Sequence, residues 1–297
     1  MKRVLLLFAG MLSAGICAVA QPSELSERKA HFDSLRTAVA ARISGMQPDY
    51  NADSVRNELD NGPSFSLYRD NYFIGGIPLG DKMKAVNSNV KFQLSVRQKL
   101  TRSRLPFDTY LYIQFTQLTI WNILEESLPV HDMNFNPGIG LGRLIVHKNR
   151  YVGNAYLMLE HESNGKDGEG SRSWNKVSFG GNFLLSRNME MQLKTWVPIV
   201  DGRNNRDILK YNGLAQQSLS YWTPGRRLNA TLATTWRAGR FAFNTQWELS
   251  VKVNNNGNQY LFFQYYNGYG ENLLDYNTHR SVLRVGFVIK PQHFGVY

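Results

Sequence analysis

Two short stretches in the middle of the chain carry residue types that could do chemistry together. They are Glu160-His161-Glu162-Ser163-Asn164-Gly165 and, after a polar loop, Ser171-Arg172-Ser173-Trp174-Asn175. A serine beside a histidine, with a third group orienting the ring, is an activated nucleophile. In that arrangement His161 would take the proton of Ser163, and Asn175 would hold the imidazole in the required tautomer. Cys-His-Asn proteases show that a neutral amide can serve as the third member. The bland alternative is that all three are ordinary polar residues near an interface.

The elements that must position these residues follow from hydrophobic period. Ala155, Leu157, Leu159, His161 and Ser163 share one strand parity, and Tyr156, Met158, Glu160, Glu162 and Asn164 share the other. On the returning strand Asn175 shares parity with Val177, Phe179 and Phe183, opposite Lys176, Ser178 and Asn182. Successive side chains of a strand point to opposite faces, so His161, Ser163 and Asn175 extend an apolar row at one rim. Polar groups there are costly unless satisfied, and a neutral amide is cheaper at such a boundary than an unpaired carboxylate.

The same alternation recurs along the chain. Val90, Phe92, Leu94 and Val96 oppose Lys91, Gln93, Ser95 and Arg97. Trp247, Leu249 and Val251 oppose Glu248, Ser250 and Lys252, and Leu283, Val285, Phe287 and Ile289 form a face near the end. An apolar face set against a charged and amide-rich one is the dyad repeat of a transmembrane β-barrel. Breaks at 102–106, 125–137, 164–173, 201–206, 224–225, 237–240, 254–258 and 268–276 leave room for about ten to twelve strands of about ten residues. The fold class expected is all-β, an antiparallel transmembrane barrel over residues 64–297. The terminal aromatic Tyr297 agrees with it.

The N-terminus points to export. Met1-Lys2-Arg3 is a positive head, residues 4–19 are apolar, and Ala18-Val19-Ala20 offers a cleavage site before Gln21. Residues 1–20 therefore read as a signal peptide. A lipoprotein signal at Cys17 is disfavoured by the bulky Ile16, and cleavage after Ala20 leaves no cysteine for disulfide or thiol chemistry. Loss of Lys2 and Arg3 lowers the formal charge from +11 to +9. In an exported chain that balance suits anionic lipid or lipopolysaccharide better than nucleic acid. No later window reaches the roughly 18 apolar residues of a membrane helix. Residues 21–63 form a separate extension: an amphipathic helix through Leu25, Phe32, Leu35, Val39 and Ile43, then a polar linker.

The motif H-x-S-N-G followed by S-R-S-W-N resembles the active-site signature of the outer-membrane phospholipase A family. So do Lys91 to Ser95 (KFQLS), Glu125-Glu126-Ser127, Gly268-Tyr269-Gly270-Glu271 and Leu274-Asp275-Tyr276-Asn277, and the resemblance spans about 64–290. It implies a twelve-stranded barrel that hydrolyses phospholipid acyl esters (A1/A2, and lysophospholipid too). By it, Ser163 is the nucleophile, His161 the base and Asn175 the orienting residue, with the Gly165 amide as oxyanion donor. It also implies Ca2+ held by the backbone carbonyls of Lys166 and Ser171 and by the Ser127 hydroxyl from a second subunit. Lys166 stands where the family has arginine, a change that a carbonyl ligand tolerates. The implied active species is a homodimer and the inactive one a monomer, with Gln117 as a dimer contact. Asp167 and Glu169 in the same loop are alternative cation ligands, though solvated loop carboxylates are the commoner case. His131, His147, His279 and His293 have no metal-ligand spacing. A non-enzymatic pore or structural barrel is the rival reading, and a soluble periplasmic esterase is a third.

Overall fold

The computed structural model describes residues 51–61, 63–101, 104–199, 203–239, 242–254 and 257–291. All belong to the second of two units, Gln47–Tyr297. The expected signal peptide, the helix through Leu25 to Ile43 and the terminal Tyr297 lie outside the described residues.

The alternating segments become thirteen antiparallel strands: β1 Phe65–Leu67, β2 Asn71–Pro78, β3 Val90–Lys99, β4 Thr109–Trp121, β5 Val130–His147, β6 Arg150–Ser163, β7 Ser173–Leu184, β8 Met189–Ile199, β9 Ala215–Trp222, β10 Leu228–Trp236, β11 Phe243–Lys252, β12 Gln259–Gly268 and β13 Arg280–Ile289. Each of β2 to β13 pairs with its sequence neighbours, and β13 pairs back onto β2, so twelve strands close a barrel. Closure removes every unpaired edge, which a lipid environment requires. The short β1 continues the β2 stave: Leu67 pairs with Val96 and Tyr72 with Gln93. Between them the chain leaves the wall, and side chains stitch the gap. Asn71 Oδ1 accepts from the Ser95 amide (2.6 Å), and Ser95 Oγ accepts from the Arg69 amide (3.3 Å).

Burial follows the sequence parity. Leu94, Ile113, Phe115, Ile139, Leu157, Leu159, Phe179, Trp247, Leu249, Val285 and Phe287 are exposed, while Lys91, Arg97, Gln114, Glu160, Lys194, Gln264 and Arg284 are buried. An apolar band recurring on strand after strand far exceeds the patches a soluble monomer leaves uncovered. It argues against the soluble esterase. Inside, charges pair between nearby staves. Glu271 receives Lys91 and Arg284, and Glu160 receives Lys194.

Two expectations need correction. The break placed at 125–137 is only Asn122 to Pro129, because β5 starts at Val130. Asp132, Asn134 and Asn136 look like loop residues but are the buried face of that strand. The stretch after residue 50, read as polar linker, contains a helix, α1 (Ala52–Asn61). Asn51 caps it, its Oδ1 accepting from the amides of Asp53 (2.8 Å) and Ser54 (3.3 Å). Val55 and Leu59 pack on Tyr110, Tyr112, Leu144 and Tyr151, buried residues at the short-turn end of the barrel. The Lys99 ammonium donates to the Leu59 carbonyl and the Tyr110 hydroxyl to Asp60. Fewer than three polar-looking turns thus hide an amphipathic face too short to stand out by period.

Candidate active site

The long connections gather at the end opposite α1, and His161, Ser163 and Asn175 stand at that rim. His161 pairs across the β6–β7 ladder with Asn175, and Ser163 with Ser173. His161 Nδ1 lies 2.8 Å from Asn175 Oδ1, which makes Nδ1 the protonated nitrogen and leaves Nε2 as the acceptor. His161 is exposed on the outer face, like Leu157 and Leu159 below it, and Ser163 and Asn175 are half-buried. Beneath this row, on the inward parity, Glu160 accepts from both Lys194 Nζ (2.8 Å) and Gln114 Nε2 (2.9 Å).

The backbone on either side of the pair is satisfied by side chains. Phe135 pairs with Ser163 and Gly138 with Glu160, which brackets Pro137 opposite His161. Proline has no N–H for that rung. Asn136 supplies a donor in its place, Nδ2 to the His161 carbonyl at 2.8 Å. From the β8–β9 connection, Asn205 grips Ser173 at both ends, accepting from its amide (3.2 Å) and donating to its carbonyl (2.9 Å).

The loop after Ser163 turns at Gly165, whose φ of +65 is a left-handed conformation suited to glycine. A Cβ there would also come to 3.0 Å of the Phe135 ring. Lys166 is exposed and its ammonium donates to the His131 carbonyl (2.8 Å). The Ser171 carbonyl accepts from Arg172 Nη1 (3.0 Å). Asp167 and Glu169 are exposed. Ser127 is exposed on the β4–β5 loop with φ +67. Gln117 shares the outward parity of Ile113 and Phe115, and its Nε2 donates to Thr119 Oγ1 (3.3 Å). Successive register pairs put Leu94, Gln117, Phe135, Ser163 and Ser173 in one row across five strands. Chain order gives no hint that Gln117 and Ser163 share a row.

Among the rim histidines, His131 has a defined partner. Its Nε2 lies 2.6 Å from Asp275 Oδ2, which Arg280 also reaches at 2.8 Å. The hydrogen bond from His131, helped by the Arg280 charge, holds the Asp275 carboxyl at about 2. An unfolded aspartate titrates near 3.9, so the folded form is favoured fully above that pH and loses the contribution as pH falls through about 2. Hydrogen exchange in the β12–β13 connection should therefore rise on acidification across this window. In Asp275→Asn it should be raised already at neutral pH and respond less to acid. Equal acid responses in the two proteins would refute this assignment.

A closed antiparallel barrel with an apolar outer band and a charged interior defines a class, the outer-membrane β-barrels. The family model for phospholipase A1 matches residues 78–289. A phospholipase A1 of Escherichia coli (strain K12) is 30% identical over 284 residues, covering 86% of this chain and 94% of that protein. One from Proteus vulgaris is 26% identical over 288 residues, covering 92% and 96%. Among solved structures, a calcium-bound dimer of the Salmonella typhi outer membrane phospholipase superposes with TM-score 0.67 at 25% identity, covering 77% of this chain and 93% of that one. The E. coli outer membrane phospholipase A gives 0.68 at 24%, covering 76% and 98%, and shows the same fold. The chain belongs to the phospholipase A1 family and is an outer-membrane phospholipase.

The motif grouped His161, Ser163 and Asn175, and the structure sets them at one rim. The motif contained Asn164 without giving it a role, and it passed over Asn205, Asp132 and Asn136; the local signal for the last two is the inward alternation of Asp132-Met133-Asn134-Phe135-Asn136.

Proposed function

We propose that this enzyme hydrolyses acyl esters of glycerophospholipids, and of lysophospholipids, at the outer leaflet through Ser163, His161 and Asn175. The observation that carries this reading is the 2.8 Å His161–Asn175 hydrogen bond on the same lipid-facing row as Ser163. Ser163 Oγ attacks the ester carbonyl carbon while His161 Nε2 accepts its proton. Asn175 accepts from Nδ1 and so keeps Nε2 free. Collapse of the tetrahedral adduct breaks the bond to the glycerol oxygen, which takes the proton from His161 and leaves as lysolipid. Water, deprotonated by His161, then releases the fatty acid and restores Ser163. The Gly165 amide donates to the developing oxyanion.

The donor set suits calcium. Among the described residues no three His, Cys, Asp or Glu side chains converge as a metal site. The loop offers carbonyl and hydroxyl oxygens, the hard ligands calcium prefers. The backbone carbonyls of Lys166 and Ser171 would hold it, with Ser127 of the partner subunit. Bound there, calcium supplies fixed positive potential beside the oxyanion. The calcium-bound dimer of the Salmonella typhi relative supports calcium binding and dimerisation; in this proposal the dimer is the active form and the monomer the inactive one. Gln117, an amide on the apolar wall in the row of Ser163, suits a polar contact across that dimer. The pore reading is weakened by the buried ion pairs of the interior and by α1 packed at the short-turn end.

The test is fatty-acid release from phospholipid–detergent mixed micelles, in calcium and in chelator, by wild type and Ser163→Ala. Release should need calcium and vanish in the variant. Folded protein that releases nothing at any calcium concentration would return the barrel to a structural role.

A further inference from the structure

The loop between Ser163 and Ser173 is tied at several points to one buried amide, while Asn204 holds the Gly168 carbonyl from outside (2.8 Å). Asn164 is 3% exposed and points inward. Its backbone amide donates to the Arg172 carbonyl (3.0 Å), closing the base of the loop. Its Oδ1 accepts from the amides of Arg172 (2.9 Å) and Lys166 (3.4 Å). Its Nδ2 donates to the Gly170 carbonyl (2.9 Å) and to Asp132 Oδ1 (3.4 Å). The start, the middle and the end of the loop are thus tied to a single side chain that uses its donors and its acceptor together. Aspartate would lose both donors and face the Asp132 carboxylate, and alanine would lose everything.

The hub is itself anchored. Asp132 is 1% exposed, and its Oδ2 accepts from Asn134 Nδ2 (2.6 Å) and the Leu274 amide (2.9 Å). Asn134 Oδ1 accepts from the Leu273 amide (3.0 Å). The loop is therefore fastened to the start of β5 and, through it, to the β12–β13 connection.

We propose that Asn164, anchored by Asp132, is a positioning residue that aims the Gly165 amide and the carbonyls of the 165–171 loop at the reacting ester. The proposal rests on the Ser-His-Asn reading above. Neither Asn164 nor Asp132 touches substrate; both act through loop backbone. Their effect should fall on calcium affinity and kcat and leave KM nearly unchanged.

The experiment compares full-length wild type with Asn164→Ala, Asn164→Asp, Asp132→Asn and the exchanged pair Asn164→Asp/Asp132→Asn, all in detergent. Three quantities are measured: calcium binding by calorimetry without substrate, kcat and KM at saturating calcium, and heat-modifiable migration as the mark of a closed barrel. Asn164→Ala should weaken calcium binding and lower kcat, each by about 10–100-fold, the usual effect of losing an outer-shell partner. Asn164→Asp should be at least as damaged. Exchanging donor and acceptor across the same gap should recover about tenfold of that loss. Wild-type calcium affinity and kcat in Asn164→Ala would overturn the proposal, as would an exchanged pair no better than Asn164→Asp. If Asn164→Ala does not close its barrel, the comparison of the exchanged pair with Asn164→Asp decides. An active Ser163→Ala would instead sink the catalytic reading, whereas an inactive one beside an unaffected Asn164→Ala would sink only the positioning role.

Discussion

His161→Ala should lower kcat for fatty-acid release by about 10⁴-fold or more with little change in KM, because the imidazole acts on the proton in flight rather than on bound lipid. Nothing else on the outer row can replace it. The residues sharing its β6 parity, Leu157 and Leu159, are hydrocarbon, and the nearest ionisable neighbours in sequence, Glu160 and Glu162, point to the other face. Asn175→Ala should be milder, about 10–100-fold, since one hydrogen bond to a neutral ring contributes about 1–2 kcal/mol to its orientation. The ranking is informative. A site whose third member were an ionised carboxylate would show a larger third-member effect, because its charge stabilises the imidazolium. Steady-state kinetics on mixed micelles check both values, and added imidazole should partly restore His161→Ala but not Ser163→Ala. Equal rates for His161→Ala and wild type would remove the base from the mechanism.

The second large effect is expected in the interior. Glu160→Ala should destabilise the barrel by about 3–5 kcal/mol, the range for a buried pair that loses one partner. Glu160 is fully enclosed and accepts from Lys194 Nζ at 2.8 and 2.9 Å, from Ser178 Oγ at 2.6 Å and from Gln114 Nε2 at 2.9 Å. Its removal leaves the Lys194 charge without a counterion and two polar side chains without an acceptor. The double variant Glu160→Ala/Lys194→Met should recover most of the loss, since the uncompensated charge goes with it. Urea-induced unfolding from lipid vesicles measures both. A double variant as unstable as the single one would mean that packing, not charge, is what Glu160 provides. Because Glu160 directly precedes His161, the single variant also tests whether the rim depends on the rigidity of the lumen below it.

The readable parts of this protein are those governed by nearest-neighbour geometry. Strand parity is one: Leu157, Leu159, His161 and Ser163 are separated by two residues, and no tertiary information is needed to place them on one face. Strand pairing across a short connection is another, which is why His161 and Asn175, 14 residues apart, could be set side by side. Where local composition misled, a polar strand face imitated a loop. Asp132, Asn134 and Asn136 occupy the buried face of β5, a position that in a soluble sheet would be apolar. Inside a membrane barrel the hydrophobic code is inverted, so inward asparagines read as turn residues. The ten residues of α1 failed for a different reason: the buried face is carried by Ala52, Val55 and Leu59 alone, less than a window long enough to establish a helical period against the polar residues around them.

The amino-acid sequence determined the alternating staves, the lipid-facing row and the motif that names the family. Each depends on residues within one strand or one hairpin, where covalent geometry fixes the relation. The tertiary structure decided what barrel closure alone can bring together. Asn134 meets Leu273 across 139 positions, and Lys91 meets Glu271 across 180. Gln117 and Ser163 come to share a wall only through an intervening strand, and α1 packs against residues of three different strands. Which inward side chains face one another depends on the strand order, tilt and stagger of the closed sheet, a property of all twelve staves at once that no single segment of the sequence carries.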